Sequence, residues 1–218
     1  MTTVIASHRV DVRGKTITTA AVFEAARALA LLEEGELLEL VTDDFEPFEH
    51  DVPAWCRATG HRLVASDLTP AGRRFLIEKG SARSERSTLA MVVSSAGLEE
   101  LLSPLGFALA AALEGIEVHL FVQGPAVRVL ARAYRPKLSG WARPFSRFAA
   151  TAMAKSGHLP AQDKLRQLRA LGAHIYLCGP SMQHFKVDRD DLVLDDLPLV
   201  EYLSFVAVME RADVQLYT

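Results

Sequence analysis

The strongest nucleophiles in this chain are two cysteines, Cys56 and Cys178, and one of them stands where chemistry is expected. The run Ala173 to Leu177 reads as a buried strand that opens into Cys178-Gly179-Pro180-Ser181-Met182. Pro180 suits the first turn of a helix, and Gly179 allows a close approach at the turn. A cysteine in that position faces unpaired backbone N–H groups at the positive end of the helix. Both effects favour thiolate over thiol, and the thiolate is the nucleophile. The competing reading is inert packing, because free cysteine is among the most buried residue types. Cys56, within Trp55-Cys56-Arg57 on a helical stretch, reads as packing.

Function in an open parallel sheet gathers beyond the carboxyl ends of the strands. Two more loops qualify, Ser94-Ser95-Ala96-Gly97 and Gln123-Gly124-Pro125. The candidate site is therefore Cys178 as the reacting group, with Gly179, Ser181, Ser95 and Gly124 as substrate contacts. His184, six residues after Cys178, is close enough in sequence to approach the loop but reads first as an exposed helix residue. No metal is expected. His8, His50, His61, His119, His158, His174 and His184 are scattered, and neither CxxC nor HExxH spacing occurs. No cofactor is expected either, since GxGxxG and the P-loop are both missing. A GxSxG elbow is also missing, which weakens a serine-hydrolase reading.

Charge is unevenly distributed. From Val118 to Gln162 there is no Asp or Glu, while Arg128, Arg132, Arg135, Lys137, Arg143, Arg147 and Lys155 give a formal +7. The rest of the chain then carries −10 against an overall −3. Asp188, Asp190, Asp191, Asp195 and Asp196 form an acidic run. Each run is ordinarily a solvated face. The sharper expectation is that the basic stretch, interleaved with Tyr134, Trp141, Phe145 and Phe148, docks an acidic partner or a second copy of the chain. RNA is disfavoured, because no RNA-binding motif accompanies the charge and the net charge is negative.

The positioning elements follow from pattern. The chain has 218 residues, 50 % of them apolar and 23 % charged, enough for one large or two small domains. The longest apolar run, Leu105 to Leu113, is short of the roughly 20 residues a membrane helix needs. Met1 to Val10 has no apolar signal core, and two cysteines build no disulfide framework, so a reducing cytoplasm is expected. His8–Val12, Leu37–Val41, His61–Leu68 and Arg73–Glu78 read as strands. Ala20–Leu32, capped by Thr18 or Thr19, and Pro47–Thr59, broken near Pro53, read as helices, giving βαβαββ. Lys79 to Thr88 (KGSARSERST) reads as a linker, with a boundary near residue 84. Beyond it, strands at Leu89–Ser94, Ile116–Val122, Ala173–Leu177 and Val214–Tyr217 alternate with helices at Glu99–Leu113, Pro125–Ala133, Leu159–Leu171 and Leu199–Arg211. That alternation implies parallel pairing with right-handed crossovers.

These residues resemble two known families. Residues 8 to 80 resemble the TusA-like (SirA-like) sulfur carrier domain, through Val10-Asp11-Val12-Arg13-Gly14, Asp43-Asp44, Asp51-Val52-Pro53-Ala54-Trp55-Cys56, Gly60-His61 and Arg74-Phe75-Leu76-Ile77-Glu78-Lys79-Gly80. That family carries sulfur on the cysteine of a Cys-Pro-X-Pro motif just after the first glycine. Here the stretch is Ile17-Thr18-Thr19-Ala20, so Ile17 replaces the cysteine and both prolines are gone. No carrier site transfers to this half. Residues 87 to 218 resemble the DsrE/DsrF-like family, through the opening strand, the Cys178-Gly179-Pro180-Ser181-Met182 loop, and Val200-Glu201-Tyr202-Leu203 before Ala212-Asp213-Val214. The resemblance implies oligomers of small parallel α/β subunits, and a persulfide held at the strand-end cysteine.

The combined expectation is an α/β protein. Residues 1–84 form a small βαβαββ two-layer sandwich with a linker, and residues 85–218 an open parallel-sheet three-layer domain. The expected function is sulfur relay, with sulfane sulfur held as a persulfide on Cys178. The alternative is a non-catalytic adaptor in sulfur metabolism. Peroxidase chemistry is a third option, but no resolving cysteine is evident. A sulfur-donor or acceptor protein and a homo-oligomer are the expected partners, with no nucleic acid and no membrane.

Overall fold

The computed structural model of the chain describes residues 6–15, 17–81 and 87–218. The Cα positions divide into two compact units, one N-terminal and one C-terminal, with Leu113–Gly115 and Lys155–His158 grouping with the first. The boundary expected near residue 84 lies outside the described residues.

The first unit runs β1 (His8–Asp11), α1 (Thr18–Ala30), β2 (Leu37–Thr42), α2 (Glu46–Thr59), β3 (Arg62–Thr69) and β4 (Gly72–Glu78). Its sheet has the order β1-β2-β4-β3, with β1 parallel to β2 and the other pairs antiparallel. α1 places Ala21, Ala25 and Leu29 in the core, and α2 contributes Phe48, Val52, Trp55 and Cys56. Two local expectations fail. Thr18 lies inside α1 rather than capping it, and its hydroxyl donates to Asp51 Oδ2 at 2.5 Å. α2 also runs unbroken through Pro53. A proline removes one helical hydrogen bond, but Phe48, Val52, Trp55 and Cys56 are all buried along α2 and hold it to the core on either side of Pro53.

The second unit holds, but for the last residues of α3 and α4, β5 (Thr88–Val93), α3 (Leu102–Leu113), β6 (Glu117–Val122), α4 (Ser146–Lys155), α5 (Ala161–Ala170), β7 (His174–Cys178), α6 (Gly179–Phe185), β8 (Leu199–Val200), α7 (Tyr202–Met209) and β9 (Val214–Tyr217). All five strands are parallel, in the order β8-β7-β6-β5-β9. The order reverses at β5, as in a doubly wound sheet. The helix expected over Pro125–Ala133 is a 3-10 helix, Gly124–Leu130. The two-residue strand β8 precedes α7, where one continuous helix was expected. α4 and the 3-10 segment Gly140–Phe145 were not expected at all.

Side chains alternate across a strand, so β7 sends His174, Tyr176 and Cys178 to one face. Ala90, Val92, Phe121 and Cys178 share a buried cluster there with Phe205 of α7. Phe121 and Phe205 stack with centroids 4.8 Å apart, and Tyr176 meets Phe205 edge-on at 5.7 Å.

Candidate functional site

Cys178 is the last residue of β7, and its side chain is 0 % exposed. The strand's alternation turns the sulfur into the α7-side cluster rather than toward the amides of α6, and it makes no side-chain cap bond to that helix. Its donor is instead the Ser181 hydroxyl, with Oγ 3.0 Å from Cys178 Sγ. Ser181 Oγ in turn accepts from the Gly124 N–H at 2.9 Å. The result is a directed chain from Gly124 N–H through Ser181 O–H to the Cys178 sulfur.

Three of the sequence candidates therefore converge: Cys178, Ser181 and Gly124. Gly124 turns at φ 53°, and a Cβ there would lie 3.5 Å from the Ser94 carbonyl. Gly179 follows Cys178 directly, but a Cβ at that position would meet nothing within 4 Å. The close approach expected of it is therefore not used. Ser95 is half-buried and belongs to a different feature. His184 is exposed, with its ring edge-on to Phe185 at 4.8 Å.

That second feature is an open cavity of about 480 Å³ beyond the ends of β5 and β6, with Ser95 in its wall. Its lining includes Arg128, Arg135, Lys137 and Arg143, with Glu100 as the acidic group. The acid-free sequence stretch thus folds into a concave basic wall. Arg128 lies over the rings of Tyr134 and Phe185, at 5.5 and 5.1 Å, which fixes the guanidinium in place. The acidic run lies beside the basic one in the same chain. Arg132 pairs with Asp195 at 3.8 Å, and its N–H donates to the Asp191 carbonyl. Some of the charge expected to act between subunits is therefore spent within one.

Cys56 contrasts with this arrangement. It is 1 % exposed inside α2, and desolvation pushes its thiol up to about 12. Ile17 is half-buried just ahead of α1 and offers no nucleophile. The histidines read as scattered are not all scattered: His119 and His174 are register partners on β6 and β7, with Glu117 beside them. Only the strand register joins residues so far apart in sequence, and the alternating Glu117, His119 pair was the one signal available.

The fold and site define a two-part protein in which a TusA-type βαβαββ unit precedes a parallel α/β unit with a strand-end cysteine. The DsrE/DsrF-like family model matches residues 87–216, and the chain belongs to that family. The family model described as Sulfurtransferase TusA matches residues 8–79. Together the two families place the chain in sulfur relay. Among solved structures, the ychN protein from E. coli is 18 % identical and matches at a TM-score of 0.46, covering 62 % of this chain and 100 % of that one. Among the described residues, no helix is long and apolar enough to cross a membrane.

Proposed function

We propose that the second unit accepts sulfane sulfur on Cys178 and hands it to a protein partner. The Cys178 thiolate attacks the outer sulfur of a donor persulfide. A new Sγ–S bond forms, the donor S–S bond breaks, and the donor leaves as a thiolate. An acceptor thiolate then attacks the outer sulfur, and Cys178 leaves as thiolate. No net oxidation occurs in either step, which suits a reducing cytoplasm.

The observation that carries this reading is the Ser181 hydroxyl at 3.0 Å from the sulfur, itself oriented by the Gly124 N–H. Ser181 and Gly124 support the anion, Gly179 lets α6 begin directly after it, and Ser95 with the basic cavity meets an acidic partner surface. α7 is the gate. Phe205 is its one fully buried residue, and it covers the Cys178 cluster. A second copy of the chain is the expected cover for the outer face of α7, where Tyr202, Leu203 and Val206 are exposed.

The second reading is a docking adaptor without chemistry. Full burial of Cys178 and the loss of a nucleophile at Ile17 favour it. The two are separated by incubating the full chain with a small-molecule persulfide donor and mapping added sulfur by mass spectrometry. Relay expects one sulfur atom, removable by reductant, on Cys178. Cys178→Ser abolishes it, Cys56→Ser keeps it, and no peptide of the first unit is modified. A folded protein that takes up no sulfur at Cys178 establishes the adaptor.

A further inference from the structure

We propose that Glu117, His119 and His174 form a binding site for a divalent transition metal ion, with zinc as its natural occupant. The three lie on one face of the sheet. His119 and His174 are cross-strand partners on parallel β6 and β7, and Glu117 precedes His119 by two residues. One donor atom from each lies within 4.8 Å of the others. Glu117 Oε1 is 3.0 Å from His119 Nε2 and 3.5 Å from His174 Nε2. Zinc–ligand bonds of about 2.0–2.1 Å in a tetrahedron put neighbouring ligand atoms roughly 3.3 Å apart. These two distances straddle that value.

Three further observations agree. The Tyr176 hydroxyl lies 3.0 Å from His119 Nδ1, which orients the ring and leaves Nε2 facing Glu117. Such a partner on the far ring nitrogen is typical of metal-bound histidine. Among the described residues, the only ion-pair partners of Glu117 are the two imidazoles, so its carboxylate has no Lys or Arg to neutralise it. The two rings stack with centroids 4.7 Å apart and planes at 15°. His174 is the more exposed of the pair, at 49 % of its side chain, so its ring is free to turn its nitrogen edge onto the ion.

Two imidazoles and one carboxylate leave a fourth position for water, the ligand count of an open zinc site. Cys178 is four residues further along β7, about 13 Å away along the strand. The site lies at the opposite ends of the strands from the sulfur and stands whether or not Cys178 reacts.

The test uses the full chain, stripped with a chelator and titrated with Zn²⁺ in a calorimeter. One equivalent is expected to bind. His174→Ala and His119→Ala should each weaken binding at least about tenfold, and Tyr176→Phe by about tenfold as a positioning partner. His174 is half-exposed, so its variant keeps the fold, and circular dichroism checks this. Co²⁺ should bind as a tetrahedral ion without a thiolate charge-transfer band. No zinc uptake by the wild-type chain overturns the proposal. So does unchanged affinity in both histidine variants, or a Co²⁺ spectrum showing thiolate ligation.

Discussion

Cys56 and Cys178 are both buried thiols, one in each compact unit, and their surroundings differ in kind. Around Cys56, α2 supplies apolar packing, and burial alone raises the thiol to about 12. Around Cys178 the packing is equally apolar on the α7 side, but a hydroxyl donor reaches the sulfur from α6. Burial by itself says only that a thiol is protected. The Ser181 hydroxyl, 3.0 Å from Cys178 Sγ, is what separates the two settings. The units differ in the same sense. The first has Ile17, which offers no nucleophile, just ahead of α1, whereas the second has a cysteine at the end of β7.

The comparison breaks most visibly at Phe205. This ring stacks on Phe121 and covers the Cys178 cluster, and it is the one fully buried residue of α7. Phe205→Ala should cost the second unit about 3–4 kcal/mol, as a fully buried Phe→Ala change does. It should also speed alkylation of Cys178 in the folded protein and leave Cys56 as slow as before. Thermal melts and timed alkylation read by mass spectrometry check both parts. Equal acceleration at the two cysteines would mean global loosening, and the idea of α7 as a local gate would fail.

Much of this contrast is legible in the sequence, and the rest has physical reasons for being hidden. The parallel strands show as apolar runs such as Leu89 to Val93, because both faces are covered. The strand-end position of Cys178 follows from the same pattern. The direction of its sulfur does not, because alternation along β7 is fixed only once one side of the sheet is known to carry α7. Ser181 and Gly124 are both legible as contacts in strand-end loops, but the hydrogen-bond chain that joins them to Cys178 is not, because the two loops meet only in the fold. His119 and His174 are joined by register alone. α4 was missed because Ser146 to Lys155 buries only Ser146, which leaves no apolar stripe to read.

Ser181→Ala sharpens the comparison at smaller cost. It removes the donor to Cys178 Sγ and leaves the Gly124 N–H without its acceptor. A lost hydrogen bond with one partner left unsatisfied costs about 1–2 kcal/mol of stability. The larger consequence is chemical. An anionic persulfide loses a bond to a charged acceptor, and sulfur uptake should slow by about tenfold, the equivalent of roughly 1.4 kcal/mol. Cys56 provides the internal control, since its alkylation rate in the same variant should not move. Uptake as fast as in the wild-type chain would show that the hydroxyl only packs.

The smallest expected effect concerns the first unit and its pH response. His61 accepts a hydrogen bond from the Gly80 N–H on Nδ1, at 3.1 Å, and its ring meets Trp55 edge-on at 5.6 Å. Burial, with the Lys79 charge adding to it, holds its pKa below the ordinary 6.5. The unfolded chain therefore binds a proton more readily than the folded one, so stability rises with pH across the window below 6.5. Above that value the group is neutral in both states and contributes no slope. As pH falls from about 7.5 to about 5.5, hydrogen-exchange protection of first-unit amides should decline, and the decline should begin near the unfolded pKa of about 6.5. His61→Asn retains an acceptor for Gly80 and removes the titration, so the difference between the two proteins isolates this one group. The second unit serves as reference, and its amides should respond identically in both. A wild-type profile that matches His61→Asn across the window would show that His61 titrates alike in the folded and unfolded chain.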